Sequence, residues 1–539
     1  MRRVTLTVAL LAYLVFSIAA SATTGAGPSR GAFVQGVGQL PECAPAAAPV
    51  PLLDPTILGN GTPGSVSTAQ IQAALDTGGH ILFDLGSAPV TVELTAQLVV
   101  DKDVVVDGAG VVTLSGQGAH RVLLITNPSN LLYSVTLQNI GIANAASSSE
   151  SGAGIYKPSG GPWQAVSLVA VNCWFTDNVA IATAQDGGGG ALYAVGMNDV
   201  VFQNCSFERN RGSNGGAVYS LGSESVTIVD SVFSDNVATG DGGNPGNGGN
   251  GGALGVDGAE RQVNVCGTDF IDNESNAYGG AFFSVMYDAV SMSSFNACNF
   301  VGNLNPTDSE FAGGAYIQGG PFAIHNSTFA FNEARAIGAL FLGPDATGEI
   351  VNSTFHGNVA RVGLTGAIFI STQAPVEITN TTIEGNLALG PNAFAAGIQV
   401  DAINAVTLKN SLLVDNLGGN EFNPWNIRNE VGDGGGNMQW PEQRPNGQPE
   451  QPATATVIFD DPQLQGLGAH GGPTTTMPLA AGSPALEAGV SAGAPAADQR
   501  GIARTALVDI GAFEGTSAQI FADGFESGNT SAWTTTVGD

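Results

Sequence analysis

Positive charge is scarce in this sequence. Its 539 residues include 16 Lys and Arg against 46 Asp and Glu, which gives a formal net charge of −30 at pH 7. Proteins that bind nucleic acid or anionic membranes carry clustered basic residues, because their partners are negatively charged. The composition therefore argues against nucleic acid and against an anionic membrane surface as partners.

Cysteine is also rare. The five cysteines are Cys43, Cys173, Cys205, Cys266 and Cys298. They are too few and too widely spaced for a disulfide-rich scaffold, and none shows zinc-site spacing. An odd count leaves at least one thiol unpaired, and the sequence predicts no metal site and no cofactor.

Long hydrophobic runs are missing after the first residues of the chain. The one such run, Val4 to Ile18, follows Met1-Arg2-Arg3 and precedes Ala20-Ser21-Ala22. A basic start, a short apolar run and a small-residue end predict a signal peptide over 1–22, rather than a membrane anchor. We expect an exported protein, extracellular or at the cell surface, with no membrane-spanning segment in the mature chain.

Glycine, by contrast, is abundant. The 76 Gly residues show no three-residue period, which excludes collagen, and the hydrophobic content of 43% excludes a wholly disordered chain. Much of this glycine lies in a recurring Gly-Gly-Ala phrase followed by an apolar residue, as in Gly189 to Leu192 and Gly279 to Phe282, and in loops that leave this phrase. Glycine here marks a regular position in a repeat.

A second phrase, Phe-x-x-Asn, alternates with the first. Its closing Asn residues are 178, 210, 236, 273, 303, 332 and 358, and two variant copies close at 386 and 416. The mean interval of about 30 residues is typical of a solenoid. Segments before each phrase, such as Val226 to Val229, alternate apolar and polar residues with a period of two, which indicates strands.

Short strands at a fixed place in every repeat predict an all-β parallel β-helix. The Phe residues are expected to stack as an inner apolar column, and the Asn that lies three places before the Phe position in many repeats is expected to bond between coils. The predicted core stack is Phe175, Phe207, Phe233, Phe270, Phe300, Phe329 and Phe355. The predicted Asn ladder is Asn139, Asn172, Asn204, Asn326, Asn352, Asn380 and Asn410.

The two alternating phrases resemble the repeats of polymorphic outer membrane proteins and of bacterial right-handed β-helix proteins of the pectate-lyase-like superfamily. The resemblance covers roughly residues 135–420 and implies a right-handed parallel β-helix. Polymorphic outer membrane proteins end in an autotransporter barrel, whereas about 120 residues follow Asn416 here. Self-translocation through an outer membrane is therefore not expected.

The C-terminal part carries a second resemblance. Gly471 to Leu479, Gly482 to Leu486, Asp498 to Gly501 and Asp509 to Glu514 are similar to the end of choice-of-anchor proteins, which are secreted bacterial β-helix proteins. The phrase from Phe521 to Trp533 is similar to tails of exported bacterial proteins and implies surface sorting.

These patterns divide the chain into seven predicted segments. They are a signal peptide (1–22), a flexible lead-in rich in Ala, Pro and Gly (23–66), an N-terminal cap with the first coils (67–134), the β-helix repeats (135–420), a long loop (421–451), an irregular C-terminal β region closing the helix (452–515) and a tail (516–539). The cap includes a short helix candidate over Ser67 to Leu75, with Ile71, Ala74 and Leu75 on one side.

Candidate catalytic residues come from the chemistry of polysaccharide lyases with this fold. The resemblance implies carboxylates, often holding Ca²⁺, and an Arg or Lys base. Arg335 and Arg361 each follow a closing Asn by three places, so they should lie in adjacent coils. They fit either an acidic-sugar site or two solvated loop arginines, and the second interpretation is favoured.

Other residues allow two interpretations each. Trp425 and Trp440 offer platforms for a sugar or cover the end of the core, the latter being favoured. Cys173 and Cys205 occupy the same position in adjacent repeats. They form either a disulfide or two buried thiols, and the second interpretation is favoured. The acidic and basic column at Asp177 and Arg209 favours salt bridges over a Ca²⁺ site.

No motif here specifies a reaction. We expect a secreted or surface β-helix protein with a binding, adhesive or envelope role, whose partner is a polysaccharide or cell-surface glycan. The alternative is a carbohydrate-active enzyme, either a polysaccharide lyase or a glycoside hydrolase, acting on acidic polysaccharide. A groove with three or more carboxylates beside Arg335 or Arg361 would favour the enzyme.

Overall fold

The chain winds as a right-handed parallel β-helix of about 13 coils, as the sequence predicts. The computed structural model describes residues 43–515 except 244, 259–261, 307–310 and 392. The predicted signal peptide, residues 23–42 of the lead-in and the tail 516–539 lie outside the described residues. No helix in the described part of the chain is long and apolar enough to cross a membrane.

Each full coil contributes strands to several parallel walls, which we name by position. The long wall and the Phe wall belong to one sheet and meet at a bend, and the narrow wall is a separate sheet of 11 strands. Very short strands after the Phe wall form two smaller sheets. All strands pair in parallel register with the equivalent strand of the next coil, as Phe207 does with Phe233.

The strand bounds follow the predicted repeat. The long wall contains Thr56–Gly59, Gly79–Asp84, Val166–Val171, Asp199–Gln203, Ser225–Val229, Gln262–Cys266, Met292–Asn296, Pro321–His325, Thr347–Val351, Val376–Thr379, Val406–Lys409 and Gly432–Asp433. The Phe wall contains Val90–Glu93, Trp174–Thr176, Ser206–Glu208, Val232–Ser234, Asp269–Ile271, Asn299–Val301, Thr328–Ala330, Thr354–His356, Thr382–Glu384, Leu412–Val414, Met438–Trp440 and Ile458–Phe459. Val104–Ser115 and Tyr133–Ala143 run through both walls.

The remaining strands complete each coil. The narrow wall contains Leu98–Val100, Leu123–Ile125, Ile155–Lys157, Leu192–Val195, Val218–Leu221, Leu254–Gly258, Phe282–Met286, Ala315–Gln318, Leu340–Leu342, Ile368–Ile370 and Ile398–Val400. The short strands are Arg211–Gly212, Val237–Ala238, Glu274–Ser275, Glu333–Ala334, Val359–Ala360, Leu387–Ala388 and Leu417–Gly418. A 3₁₀ turn, Ile403–Ala405, precedes one long-wall strand.

A single α-helix among the described residues, Thr68–Thr77, covers the N-terminal end of the coils. Ser67 caps it with a reciprocal hydrogen-bond pair to Gln70, and Ile71, Ala74 and Leu75 are buried. The helix shields apolar side chains of the first coils, which would otherwise face water at an open end.

The Phe column lies inside the coils. All seven Phe side chains of the predicted core stack are 0% exposed. Successive ring centroids lie 4.3 to 5.1 Å apart and the ring planes are within 14° of parallel. The strand register fixes this spacing, because equivalent residues of adjacent coils are held about 4.8 Å apart by the backbone ladder.

The Asn residues that close the Phe-x-x-Asn phrase form a second inner column. In the sequence they mark the repeat, and no structural role is predicted for them. Asn210, Asn303 and Asn332 are typical, with 0% exposure. Asn332 Nδ2 donates to Asn358 Oδ1 (2.9 Å) and to the Phe300 carbonyl of the preceding coil (2.8 Å). Its Oδ1 accepts from the backbone N–H and the side-chain amide of Asn303. Each amide in this inner Asn column is therefore saturated, as a buried polar group requires.

The predicted Asn ladder lies at the bend between the long wall and the Phe wall. Asn172 Nδ2 donates to Asn139 Oδ1 at 2.9 Å and Asn204 Nδ2 to Asn172 Oδ1 at 2.8 Å. All seven members have φ between 46° and 55°. Asn tolerates this left-handed conformation better than most residues, so the bend favours Asn for its backbone as well as for its amide, although Asp230, Gly267 and Ala297 adopt the same conformation in other coils.

Residues 43–53 form a strap across the long wall, whereas the sequence predicted a flexible segment. The Val50 N–H donates to Gln138 Oε1 and the Ala46 N–H to Gln203 Oε1, at 2.7 and 2.8 Å. A disulfide joins Cys43 to Cys266. The composition of the strap is that of a linker, and its bonds to distant side chains leave no local pattern in the sequence.

The other three cysteines are buried thiols. Cys173 and Cys205 are not bridged, which agrees with the favoured sequence interpretation, and burial raises the pKa of the Cys205 and Cys298 thiols. The sequence did not identify Cys43 and Cys266 as partners. They are 223 residues apart and belong to different kinds of segment.

Thiol labelling should therefore proceed in steps. We expect no labelling of the native oxidised protein, labelling of Cys43 and Cys266 after native reduction, and labelling of all five cysteines only after unfolding. Mass spectrometry after alkylation with iodoacetamide measures each step. Native labelling of Cys173 would contradict its burial in the core.

The predicted long loop 421–451 contains part of a last coil. Gly432–Asp433 pairs with the preceding long-wall strand and Met438–Trp440 with Leu412–Val414. These strands are too short to show alternation in the sequence. Ala453 and Val457 then pack on the main core and help to close its C-terminal end.

Residues 463–515, which the sequence placed over the end of the helix, run back along the outside of the Phe wall. Gln499, which is 0% exposed, bonds to Thr328 and Thr354 of two adjacent coils, at 2.8 and 2.6 Å. The Val490 N–H donates to Asn410 Oδ1 at 2.7 Å. This C-terminal flap therefore covers the outer face of the late coils, with little regular structure of its own.

Candidate functional site

Arg335 and Arg361 lie in adjacent coils, one residue after paired short strands. The register pairs Ala334 with Ala360, and the Arg361 N–H donates to the Ala334 carbonyl. The Arg361 guanidinium donates to Glu333 Oε1 and to the Asn305 carbonyl, each at 2.8 Å. These bonds tie the arginine to neighbouring coils, as in a structural ion pair.

No group of three or more His, Cys, Asp or Glu side chains in the described ranges has a metal-binding arrangement. The acidic and basic column beyond the Phe wall instead contains an ion pair. Arg209 Nε and Nη2 each lie 2.9 Å from a carboxylate oxygen of Asp177. This pairing raises the pKa of Arg209, while burial and the nearby Asp235 raise that of Asp272. The arrangement matches the salt-bridged stacking that the sequence favoured.

Trp425 and Trp440 lie at the C-terminal end of the coils and are both half-buried. Trp440 packs against Leu412 and Met438 in a small apolar cluster. The Trp425 backbone N–H binds Glu450, and its indole donates to the Asn420 carbonyl at 3.2 Å. Trp440 therefore lies between the outer face of the Phe wall and the C-terminal flap, whereas the Trp425 ring lies against Gly418 of the last short strand.

An exposed tryptophan lies elsewhere, on the turn that joins the narrow wall to the long wall in each coil. We call this the edge turn. Trp163 is 58% exposed there. Its ring lies against Gly196 and Gly222, which occupy the edge turns of the next two coils. Trp163 carries no repeat signal in the sequence, because its turn is longer than the tight glycine turns that support the ring.

The buried Lys157 fixes the start of the turn that carries Trp163. Its Nζ donates to the carbonyls of Pro158 (2.7 Å), Gly160 (3.3 Å) and Val195 (3.3 Å). The residue is 2% exposed, and burial lowers the pKa of its ammonium group. Carbonyl groups from two coils thus hold the turn in one position beside the next coil.

A polar cluster lies beside the glycines under Trp163. Asp199 accepts hydrogen bonds from Ser167 (3.2 Å), Ser225 (2.8 Å) and Asn198 (2.5 Å). Ser167, Asp199 and Ser225 come from three successive long-wall strands, and all are partly exposed. The cluster presents hydroxyl, amide and carboxylate groups along the coil axis, at the start of the long-wall strands that follow the edge turns.

Comparison with solved structures shows a likeness of fold. No protein-family model matches the chain, and neither does any curated protein. A solved structure that matches it is that of pectate lyase Pel9A, at 14% sequence identity and a TM-score of 0.30. The match covers 85% of this chain and 96% of that one. A likeness at this level carries no information about substrate or activity.

Proposed function

We propose that this protein is exported to the cell exterior and acts there as a binding, adhesive or envelope protein. Its partner would be a polysaccharide or a cell-surface glycan, contacted by the outer surface of the β-helix. The inner Phe and Asn columns support this role, because they make the coils a rigid scaffold on which a long, fixed surface can be presented.

The observation that carries the proposal is the engagement of Arg361. A lyase on this fold would need an arginine or lysine directed at a substrate groove and carboxylates gathered beside it. Arg361 instead donates to Glu333 and to the Asn305 carbonyl, which are parts of the scaffold. This arrangement favours a binding role over lyase chemistry.

A polysaccharide panel tests this role. We expect the purified protein to be retarded in native gels that contain at least one polysaccharide, while incubation with polygalacturonate and Ca²⁺ produces no unsaturated sugar absorbing in the ultraviolet. Arg361→Ala should leave the retardation unchanged. Release of unsaturated products by the wild type, lost in Arg361→Ala, would establish a lyase and overturn the proposal.

A further inference from the structure

We propose that Trp163 and the polar cluster around Asp199 form a binding site for a neutral carbohydrate chain. The inference rests on the proposed binding function and assigns it a place and a ligand class. Three features of the edge turn carry it, namely the support of the ring, the polar groups beside it and the sign of the local charge.

The first feature is the support under the indole ring. A Cβ built on Gly196 would lie 2.6 to 2.8 Å from three ring atoms of Trp163, Cε3, Cδ2 and Cζ3. A Cβ on Gly222 would lie 2.4 to 3.4 Å from the other three carbons of the same six-membered ring. Half of the ring thus rests on each coil, and only glycine leaves room for it at either place.

The rest of the ring is open to solvent, since the residue is 58% exposed. An apolar ring held flat against backbone is a platform with little conformational entropy left to lose on binding. The apolar C–H face of a sugar ring is a flat surface of matching size. The edge turn of the preceding coil adds Leu131 and Leu132, which are 54% and 81% exposed.

The second feature is the polar cluster. Asp199 and Ser225 lie three residues after the two supporting glycines, and Ser167 lies four residues after Trp163. A sugar presents hydroxyl groups at its rim, and each hydroxyl both donates and accepts a hydrogen bond. The Asp199 carboxylate accepts such bonds, and the Ser167 and Ser225 hydroxyls, which donate to Asp199, accept them as well. An apolar platform with a few fixed polar groups is the usual composition of a small-molecule site.

The third feature is charge, which selects among carbohydrates. Asp199 and the neighbouring Glu224 are acidic, and the chain has a formal net charge of −30. A uronate or sulfated sugar would be repelled by this surface. Lys157, the nearby basic residue, is buried and bound to carbonyl groups. The site therefore suits a chain of uncharged sugars.

The edge turns also suit a chain rather than a single sugar. The edge turns of four consecutive coils contain, in order, Leu131 and Leu132, then Trp163, Gly196 and Gly222. The coils are about 4.8 Å apart. Sugar units of a polymer laid along this edge would meet equivalent positions of successive coils. Further along the same edge, Tyr287 is 67% exposed.

Affinity electrophoresis tests the site. Native gels containing dextran, xylan or hydroxyethyl cellulose are run beside gels containing polygalacturonate. We expect the wild type to be retarded by at least one neutral polymer more than by polygalacturonate. Trp163→Ala should weaken that retardation about tenfold, measured as an apparent dissociation constant.

Matched variants separate binding from folding. Phe422→Ala removes an aromatic residue that is 85% exposed and lies outside the edge turns, so this variant should bind like the wild type. Trp163→Phe retains an aromatic ring and should bind with intermediate affinity, while Asp199→Ala should weaken binding with the platform intact. Equal thermal midpoints for these variants and the wild type show that the coils are preserved. Bound polymer should also reduce acrylamide quenching of tryptophan fluorescence in the wild type but not in Trp163→Ala.

Each result has a distinct meaning. Unchanged binding by a folded Trp163→Ala variant would overturn the site and leave the binding function standing. Preference for polygalacturonate over every neutral polymer would overturn the ligand class. Absence of retardation in any gel, together with no binding to intact bacterial cells, would overturn both this site and the proposed function.

Discussion

Replacing Asn332 by alanine should lower the free energy of unfolding by about 3 to 5 kcal/mol. The side chain is 0% exposed and makes two donor and two acceptor bonds, to Phe300, Asn358 and Asn303. Alanine would leave a backbone N–H and an amide hydrogen of Asn303 without acceptors inside the protein. The urea midpoint, followed by circular dichroism, measures the loss.

The matched control comes from the outer Asn ladder. Asn204→Gly removes an exposed side chain whose amide donates to Asn172, and glycine tolerates the φ of 52° at that position. We expect a loss of about 1 kcal/mol or less. Equal losses for Asn332→Ala and Asn204→Gly would contradict the assignment of the main polar stabilisation to the inner Asn column.

The repeat predicted contacts between coils correctly at positions where the same residue type recurs at the same place in each repeat. Phe207 and Phe233 were expected to stack, and their centroids lie 4.3 Å apart. The coil register converts a fixed sequence interval into a fixed position in space, so the period of about 30 residues determines the neighbours of each residue. The helix candidate was recognisable too, because Ile71, Ala74 and Leu75 lie on one side of it, and the structure buries all three.

The two Asn columns show a limit of this reasoning. Their members alternate in the sequence, and both are suited to amide ladders. Which column faces the core depends on the backbone at the bend, where the outer Asn residues adopt a positive φ and the inner ones do not. A sequence pattern gives the position of a residue within the coil. It does not show whether the side chain of a residue at a bend points into the core or out of it.

Contacts between segments far apart in the sequence were not predictable. The strap is joined to the coils by the disulfide between Cys43 and Cys266, and the flap by the hydrogen bond between Gln499 and Thr328. Neither segment contains a repeated motif, so its sequence does not indicate which coil it contacts. The candidate site also depends on contacts between coils, because the Trp163 ring is supported by glycines of two later coils.

The structure also gives a physical reason for the C-terminal motif that runs from Asp498 to Gly501 and from Asp509 to Glu514. Asp498, at 0% exposure, accepts bonds from the Arg500 guanidinium at 2.6 and 2.8 Å and from the Glu514 N–H at 2.9 Å. Arg504 pairs with Glu514 at 2.9 Å. The motif thus forms a buried ionic clamp that joins distant parts of the flap.

Asp498→Ala should therefore release the flap from the Phe wall. The change leaves the Arg500 guanidinium and three backbone N–H groups without their acceptor, and removing one partner of a buried pair costs about 3 to 5 kcal/mol. Because the coils have their own core, we expect local rather than global unfolding. Hydrogen exchange should accelerate across residues 463–515, whereas the N–H groups of Thr328 and Thr354, which donate to the Cys298 and Ser327 carbonyls of the coils, should keep their protection.

An exposed ion pair provides the control for Asp498→Ala. Asp177 and Arg209 are 41% and 46% exposed, so solvent already screens their attraction. Asp177→Ala should change stability by about 1 kcal/mol or less and leave exchange in the flap unaltered. Exchange that accelerates equally in the early coils and in the flap of Asp498→Ala would show that the flap and the β-helix unfold as one unit, against the separation inferred from their contacts.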